Sequence, residues 1–185
     1  MRVLAVSGSL RRDSHNRRLL AAAAQRLASG VEFTVWDGLG DVPPYNEDLD
    51  VEVAPGTVAQ LRAALTRADA ILIATPEYNH SLPGQLKNAL DWASRPFPAN
   101  SLRGKPVAVV GASTSMFGAV WAQAELRRVL QAAGAHVVDE ELAVPSAHEA
   151  FEDGGELRDT AQREALAVIT GQLLEAAAAP LQRVA

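Results

Sequence analysis

The sequence predicts an α/β fold: a doubly wound sheet of five parallel strands in the order 2-1-3-4-5. Three observations predict it. Short apolar runs alternate with helical stripes along the chain, the pattern of repeated strand–helix units. The central runs are apolar on both faces, as strands covered by helices on each side must be. Five such runs occur in 185 residues, which suits this order better than a six-strand dinucleotide fold. In such a sheet ligands bind where the winding reverses, beside strands one and three. No repeat or linker interrupts the pattern, so residues 1–185 are expected to form one domain.

The elements follow in order. Val3-Leu4-Ala5-Val6 is the first strand, ending in Ser7-Gly8-Ser9. Leu19, Leu20, Ala23 and Leu27 then fall on one helical face. Residues 31–36 read as the second strand, with Val31, Phe33 and Val35 alternating against polar neighbours. Residues 38–56 form a long loop with Pro43, Pro44 and Pro55, and Val58, Leu61 and Leu65 mark the next helix. Ala70-Ile71-Leu72-Ile73-Ala74 is the third strand. Pro83 sits where a helix would start, a favoured place for proline, and that helix is expected to run to about Ser94 before Pro96 and Pro98. Pro106-Val107-Ala108-Val109-Val110 is the fourth strand, followed by a helix from about Gly118 to Ala133, closed by Gly134. His136-Val137-Val138 begins the fifth strand. A final helix is expected from Leu157 to about Ala178, with Leu157, Ala161, Ala165, Val168 and Ile169 turned inward and the alanines of 176–179 fraying.

Composition narrows the function. The formal net charge of −5 argues against nucleic acid, which needs a basic footprint. No cysteine is present, so disulfides, thiolate catalysis and cysteine-held iron–sulfur clusters are excluded. Redox chemistry, if any, must be borrowed from a cofactor. The first apolar run is too short for a signal peptide, and no window approaches the ~20 apolar residues of a membrane span. A cytoplasmic protein without a membrane partner is expected.

The loops after strands one, three and four carry the chemical groups. The first is Gly8-Ser9-Leu10-Arg11-Arg12-Asp13-Ser14-His15-Asn16. Ser9, Ser14 and Asn16 offer hydrogen-bond donors, Arg11 and Arg12 add charge, and the loop opens into a helix N-terminus. That set fits a phosphate dianion; its plainer reading is a capped helix with solvated arginines. It is neither a dinucleotide fingerprint, since G-x-G-x-x-G is absent, nor a Walker loop. The second loop, Thr75-Pro76-Glu77-Tyr78-Asn79-His80-Ser81-Leu82-Pro83-Gly84, is stiffened at both ends by proline. It can present main-chain groups and the Tyr78 ring to a flat polar ligand, or be a structural turn. The third, Gly111-Ala112-Ser113-Thr114-Ser115-Met116-Phe117-Gly118, lacks the closing glycine of a nucleophile elbow, which argues against a serine hydrolase. The four histidines have no metal-binding spacing. His15 and His80 lie in these loops, where bracing the loop is the plainer role. Trp92 reads as a packing residue, in the core or at a subunit contact.

Gly8-Ser9-Leu10-Arg11 with Ser14 and Asn16, then Pro76-Glu77-Tyr78-Asn79 with Ser81, Pro83, Gly84 and Leu86-Lys87-Asn88-Ala89-Leu90-Asp91-Trp92, resemble the NADPH-dependent FMN reductase family, whose flavodoxin-like members include quinone, chromate and azo-dye reductases. The resemblance runs from strand one to strand five. It implies noncovalent FMN, with the phosphate on Ser9, Arg11, Ser14 and Asn16, and His15 counted with them. It implies that the flavin ring meets Pro76, Glu77, Tyr78 and Asn79, with Ser113, Thr114 and Ser115 approaching it from the other side. The third loop departs from the glycine-rich stretch of many relatives, since Ser115-Met116-Phe117 stands there. The resemblance also implies NADPH or NADH as donor, ping-pong reduction of small acceptors (quinones, flavins, azo dyes or chromate) without a side-chain acid or base, and a homodimer or homotetramer. The chief rival is a flavodoxin-type electron carrier, against which the paired arginines and modest net charge weigh; a flavin-free module is a second.

Overall fold

A computed structural model describes residues 1–51 and 54–179. Five parallel strands form one sheet in the order β2-β1-β3-β4-β5: β1 (Arg2–Ser7), β2 (Glu32–Trp36), β3 (Ala70–Thr75), β4 (Pro106–Ala112) and β5 (His136–Val144). Between and after them run α1 (His15–Ala24), α2 (Gly56–Arg67), α3 (Gly84–Ala93), α4 (Val120–Ala132) and α5 (Thr160–Ala178). Two short 3₁₀ turns, Gly38–Asp41 and Glu47–Leu49, break the long connection after β2.

Side chains alternate across each central strand and so build two cores. Ile71, Ile73, Val107 and Val109 face one layer with Leu61 and Leu65 of α2, Leu86 and Trp92 of α3, and Leu126 and Leu130 of α4. Ala70, Leu72, Ala74, Ala108 and Val110 face the other, with Leu19 and Leu20 of α1 and Leu166, Ile169 and Leu173 of α5. All six residues of β3 and all seven of β4 are buried, as strands covered on both faces require.

Three expected helices differ in detail. α1 ends at Ala24, so the half-buried Leu27 lies beyond it. α4 starts at Val120, because Gly118 and Ala119 both adopt left-handed backbone (φ 60° and 69°). At Gly118 a Cβ would meet the backbone of Ala143 and Val144 at 2.8 Å, so the close approach to β5 demands glycine there. α5 starts at Thr160, capped by Asp159, whose side chain accepts from the Gln162 N–H. Leu157 is buried ahead of the helix, in a bridge with Phe151. The inward stripe of α5 is Leu166, Ile169, Thr170 and Leu173, while Ala161 and Val168 face solvent. The alanine-rich repeat blurs the 3.6-residue period, and the stripe is set by the packing on β5.

Candidate active site

The loops after β1, β3 and β4 meet at the carboxyl end of the sheet, where the winding reverses. Gly8 begins the first, its N–H donating to Ala74 O at 2.8 Å. A Cβ here would meet Leu86 Cδ2 at 3.0 Å and Pro76 Cδ at 3.2 Å, so the close approach of the first loop to the second favours glycine. The Ser9 N–H reaches Ser7 Oγ (3.3 Å), and Ser9 Oγ accepts from the Arg11 N–H (3.4 Å). Ser14 is the N-cap of α1: its Oγ accepts from the Arg17 N–H at 3.3 Å. The first-turn N–H groups of α1 therefore face this loop. Arg11 and Arg12 are exposed and form no ion pair among the described residues; the Arg11 guanidinium reaches only the Asp13 carbonyl, at 3.5 Å.

Asn16 is buried, and its amide closes a two-point bond on Ala112 at the end of β4: Nδ2 donates to the carbonyl (2.9 Å) and Oδ1 accepts from the N–H (3.0 Å). One N–H of that amide is left over. The side chain read as a ligand donor is thus also the tie between the first and third loops.

The second loop is a tight hairpin. Tyr78 and Ser81 exchange both backbone hydrogen bonds (3.0 and 3.1 Å) across Asn79 and His80, whose φ angles are 52° and 61°. Positive φ at both central positions is the primed turn that favours asparagine first. The hairpin lifts Tyr78, half exposed, into the open. Glu77 turns the other way. Its carboxylate accepts from the N–H groups of Trp121 (3.0 Å) and Ala122 (3.1 Å), capping α4 from outside. α4 has no side-chain cap of its own, because the left-handed Ala119 holds the N-cap position. Ser81 Oγ donates to Glu125 on the same helix.

The third loop is fixed from β5. Ser113 N–H donates to Val144 O, and Ser113 O accepts from Ala147 N–H. Ser115 and Phe117 N–H groups reach Ser113 Oγ and Ser115 Oγ in two successive hydroxyl turns. Met116 and Phe117 are exposed, and Phe117 and His80 both stand edge-on to Trp121, at 4.8 and 4.6 Å between centroids.

A hollow of about 100 Å³ opens where the loops converge, lined by Ser9, Arg11, Ser14, His15, Asn16, Pro76, Glu77, Tyr78, Ala112, Ser113 and Thr114. Asn79 and Ser115 lie outside its lining. Ala112 is the lining residue the sequence did not single out; its place at the end of β4 was the available signal. Larger hollows occur at the amino end of the sheet, around Arg2, Val3 and Ala68 and around Lys105, Pro106 and Ala176. They lie away from the winding reversal and collect none of the loop groups. Trp92 is fully buried, with Nε1 donating to Pro43 O, so it is a core residue and no subunit contact.

A family model described as NADPH-dependent FMN reductase matches residues 1–149. The chain belongs to that family. FMN is accordingly its cofactor, NADPH or NADH its electron donor, and oxidoreduction its activity. The chain is 42% identical over 165 residues to an NAD(P)H-dependent FMN reductase of Pseudomonas aeruginosa, covering 89% of this chain and 88% of that one. It is 39% identical to a quinone reductase of Pseudomonas putida, over 85% and 84% of the two chains. Among solved structures, the flavoenzyme NAD(P)H:(acceptor) oxidoreductase FerB of Paracoccus denitrificans superposes with a TM-score of 0.86 at 36% identity, covering 95% of this chain and 96% of that one. The family match over residues 1–149 spans all five strands and the three loops, so the flavodoxin-like fold read from the sequence and the family agree.

The donor set fits a flavin phosphate. Ser9, Ser14 and His15, the start of α1 and Arg11, whose guanidinium makes no ion pair among the described residues, all border one small hollow.

Proposed function

We propose that this chain reduces quinones and similar small electron acceptors with electrons from NADPH or NADH, at FMN held by the three loops. The observation that carries the proposal is the convergence of Ser9, Arg11, Ser14, His15 and Asn16 with Pro76, Glu77, Tyr78, Ser113 and Thr114 on one hollow at the winding reversal. In this reading the first loop and the start of α1 hold the phosphate: Arg11 supplies charge, Ser9 and Ser14 hydroxyls, and Asn16 its spare N–H. Pro76, Glu77, Tyr78 and Asn79 carry the ring, with Ser113, Thr114 and Ser115 at its other side.

FMN supplies the hydride and electron chemistry when bound. The residues contribute position and access. The Tyr78 hairpin is braced by Glu77 and Ser81 on α4, so its backbone presents a fixed edge. The transfer itself needs no side-chain acid or base. Donor and acceptor use the same opening in turn, which gives ping-pong kinetics, and an open platform selects acceptors loosely. The chain works as one domain over residues 1–185. The exposed Tyr78, Met116, Phe117 and Trp121 beside the site support a homodimer or homotetramer. The nicotinamide pool it draws on places it in the cytoplasm.

The deciding experiment is the visible spectrum of the purified protein, followed by anaerobic NADPH. A yellow protein that bleaches, and then recovers its colour on addition of a quinone, supports the proposal. Tight FMN binding with no bleaching by either nicotinamide would overturn it.

A further inference from the structure

His15 opens α1 and stands in the wall of the hollow between Ser14 and Asn16. Its Nδ1 is buried and has no hydrogen-bond partner among the described residues, a costly state for a polar atom unless something else meets it. The groups that weigh on the ring are all basic and come from three places: Arg11 in the first loop, Arg18 one turn along α1, and His148 after β5. The nearby carboxylates are turned elsewhere. Glu77 caps α4, Glu152 pairs with Arg158, Glu149 lies 3.5 Å from His148, and Asp13 is exposed, meeting Arg11 through its carbonyl. Burial first, then these basic groups, hold the imidazole below its ordinary value of 6.5. In the flavin-free protein these surroundings favour the neutral ring. A dianion placed in the same hollow reverses that balance, because an opposite charge favours the protonated ring.

We propose that His15 is a proton-accepting ligand of the FMN phosphate: when the dianion enters the hollow, the imidazole takes a proton from solvent and donates to it, which makes the site selective for phosphorylated flavin. The inference rests on the reading that the phosphate occupies the first loop. The sign follows from the two states. The complex binds more protons than the free protein between the lowered value of the free imidazole and the raised value of the bound one. FMN affinity therefore rises as pH falls through that window, by at most about tenfold per pH unit for one proton. The window must stay above about pH 6, near the second ionisation of a phosphomonoester.

The test is calorimetric titration of the flavin-stripped protein with FMN and with riboflavin, between pH 6.5 and 8, in buffers of different ionisation enthalpy. FMN binding should take up a proton fraction in the wild type, riboflavin binding none. His15→Gln should abolish the uptake and flatten the pH dependence of the FMN dissociation constant. Uptake in the wild type needs no variant to fold, so its absence alone overturns the proposal. Arg11→Ala separates the two possible failures. If it weakens FMN but not riboflavin while no proton is taken up, the phosphate is in the first loop and the role of His15 is wrong. If Arg11→Ala and His15→Gln both bind FMN like the wild type, the phosphate lies elsewhere and both readings fall.

Discussion

At the level of single residues, Arg11 and Asn16 look alike in the sequence and differ in the structure. Arg11 is exposed and has one long contact, to a carbonyl. Asn16 is buried and satisfies both backbone groups of Ala112. Replacing Arg11 with alanine should leave the melting temperature nearly unchanged. It should raise the FMN dissociation constant roughly 10- to 100-fold, the worth of one hydrogen bond to a charged partner, about 1.5–3 kcal/mol. Riboflavin, which lacks the phosphate, should be unaffected. Asn16→Ala should instead unsettle the fold, because two buried backbone groups lose their partners at about 1–3 kcal/mol each. A fall in unfolding free energy of roughly 2–6 kcal/mol, read from denaturant midpoints, is the expected result. Equal melting of the two variants would refute the division of labour. The sequence showed that Asn16 belongs in this loop, through its spacing from Ser14. It could not show the bond to Ala112, which spans 96 residues.

At the level of elements, α3 shows why a motif can be legible while its job is not. Leu86-Lys87-Asn88-Ala89-Leu90-Asp91-Trp92 marks the family, yet its polar residues do two different things. Gln85, Asn88 and Trp92 share one helical face, three and four residues apart, and that face grips the connection after β2. Gln85 donates to Leu39 and Val42 carbonyls, Asn88 accepts from Tyr45 N–H at 2.7 Å and donates to Pro43 O, and Trp92 donates to Pro43 O as well. A connection of this length, with little regular structure, must find its hydrogen bonds outside itself, and α3 supplies them. Lys87 and Asp91 form an exposed pair one turn apart, worth no more than about 0.5 kcal/mol. Asn88→Ala should therefore cost about 1–3 kcal/mol of stability and Lys87→Ala almost nothing, as urea unfolding would measure. The reverse ranking would mean that the pair, and not the clamp, fixes this helix. The same blindness to distance affects α4, whose cap comes from Glu77, 44 residues earlier. The expected start of that helix, about Gly118, falls on a left-handed turn.

For the molecule as a whole, strand order, layer assignment and the choice of three loops were legible, because they follow from apolar periodicity and from the rule that parallel sheets bind ligands at a winding reversal. What faces outward was less legible: Trp92, a candidate for a subunit contact, is wholly inside, since the Pro43 carbonyl gives its N–H a buried partner. Phe97, 69% exposed, stands apart beside Arg103, and the other outward aromatics gather at the carboxyl end of the sheet. Trp121 is 40% exposed, Phe117 49%, Tyr78 51% and Met116 77%, and Trp121 links Phe117 to His80 by edge-on packing. An exposed apolar group of this kind suits the proposed assembly, since aromatic residues and methionine are enriched at the centres of interfaces. A second copy of the chain is the expected occupant, and Met116, Phe117 and Trp121 its central contacts. Light scattering at micromolar concentration should give a mass two or four times 19.6 kDa. Replacing Phe117 and Trp121 together with glutamate should shift the protein toward 19.6 kDa, because like charges set face to face in an apolar interface are strongly unfavourable. Both positions are partly exposed in the protomer, so its helix content by circular dichroism should persist. A wild type that is monomeric throughout would remove the proposed assembly, and a folded double variant that keeps the wild-type mass would place its interface on another face.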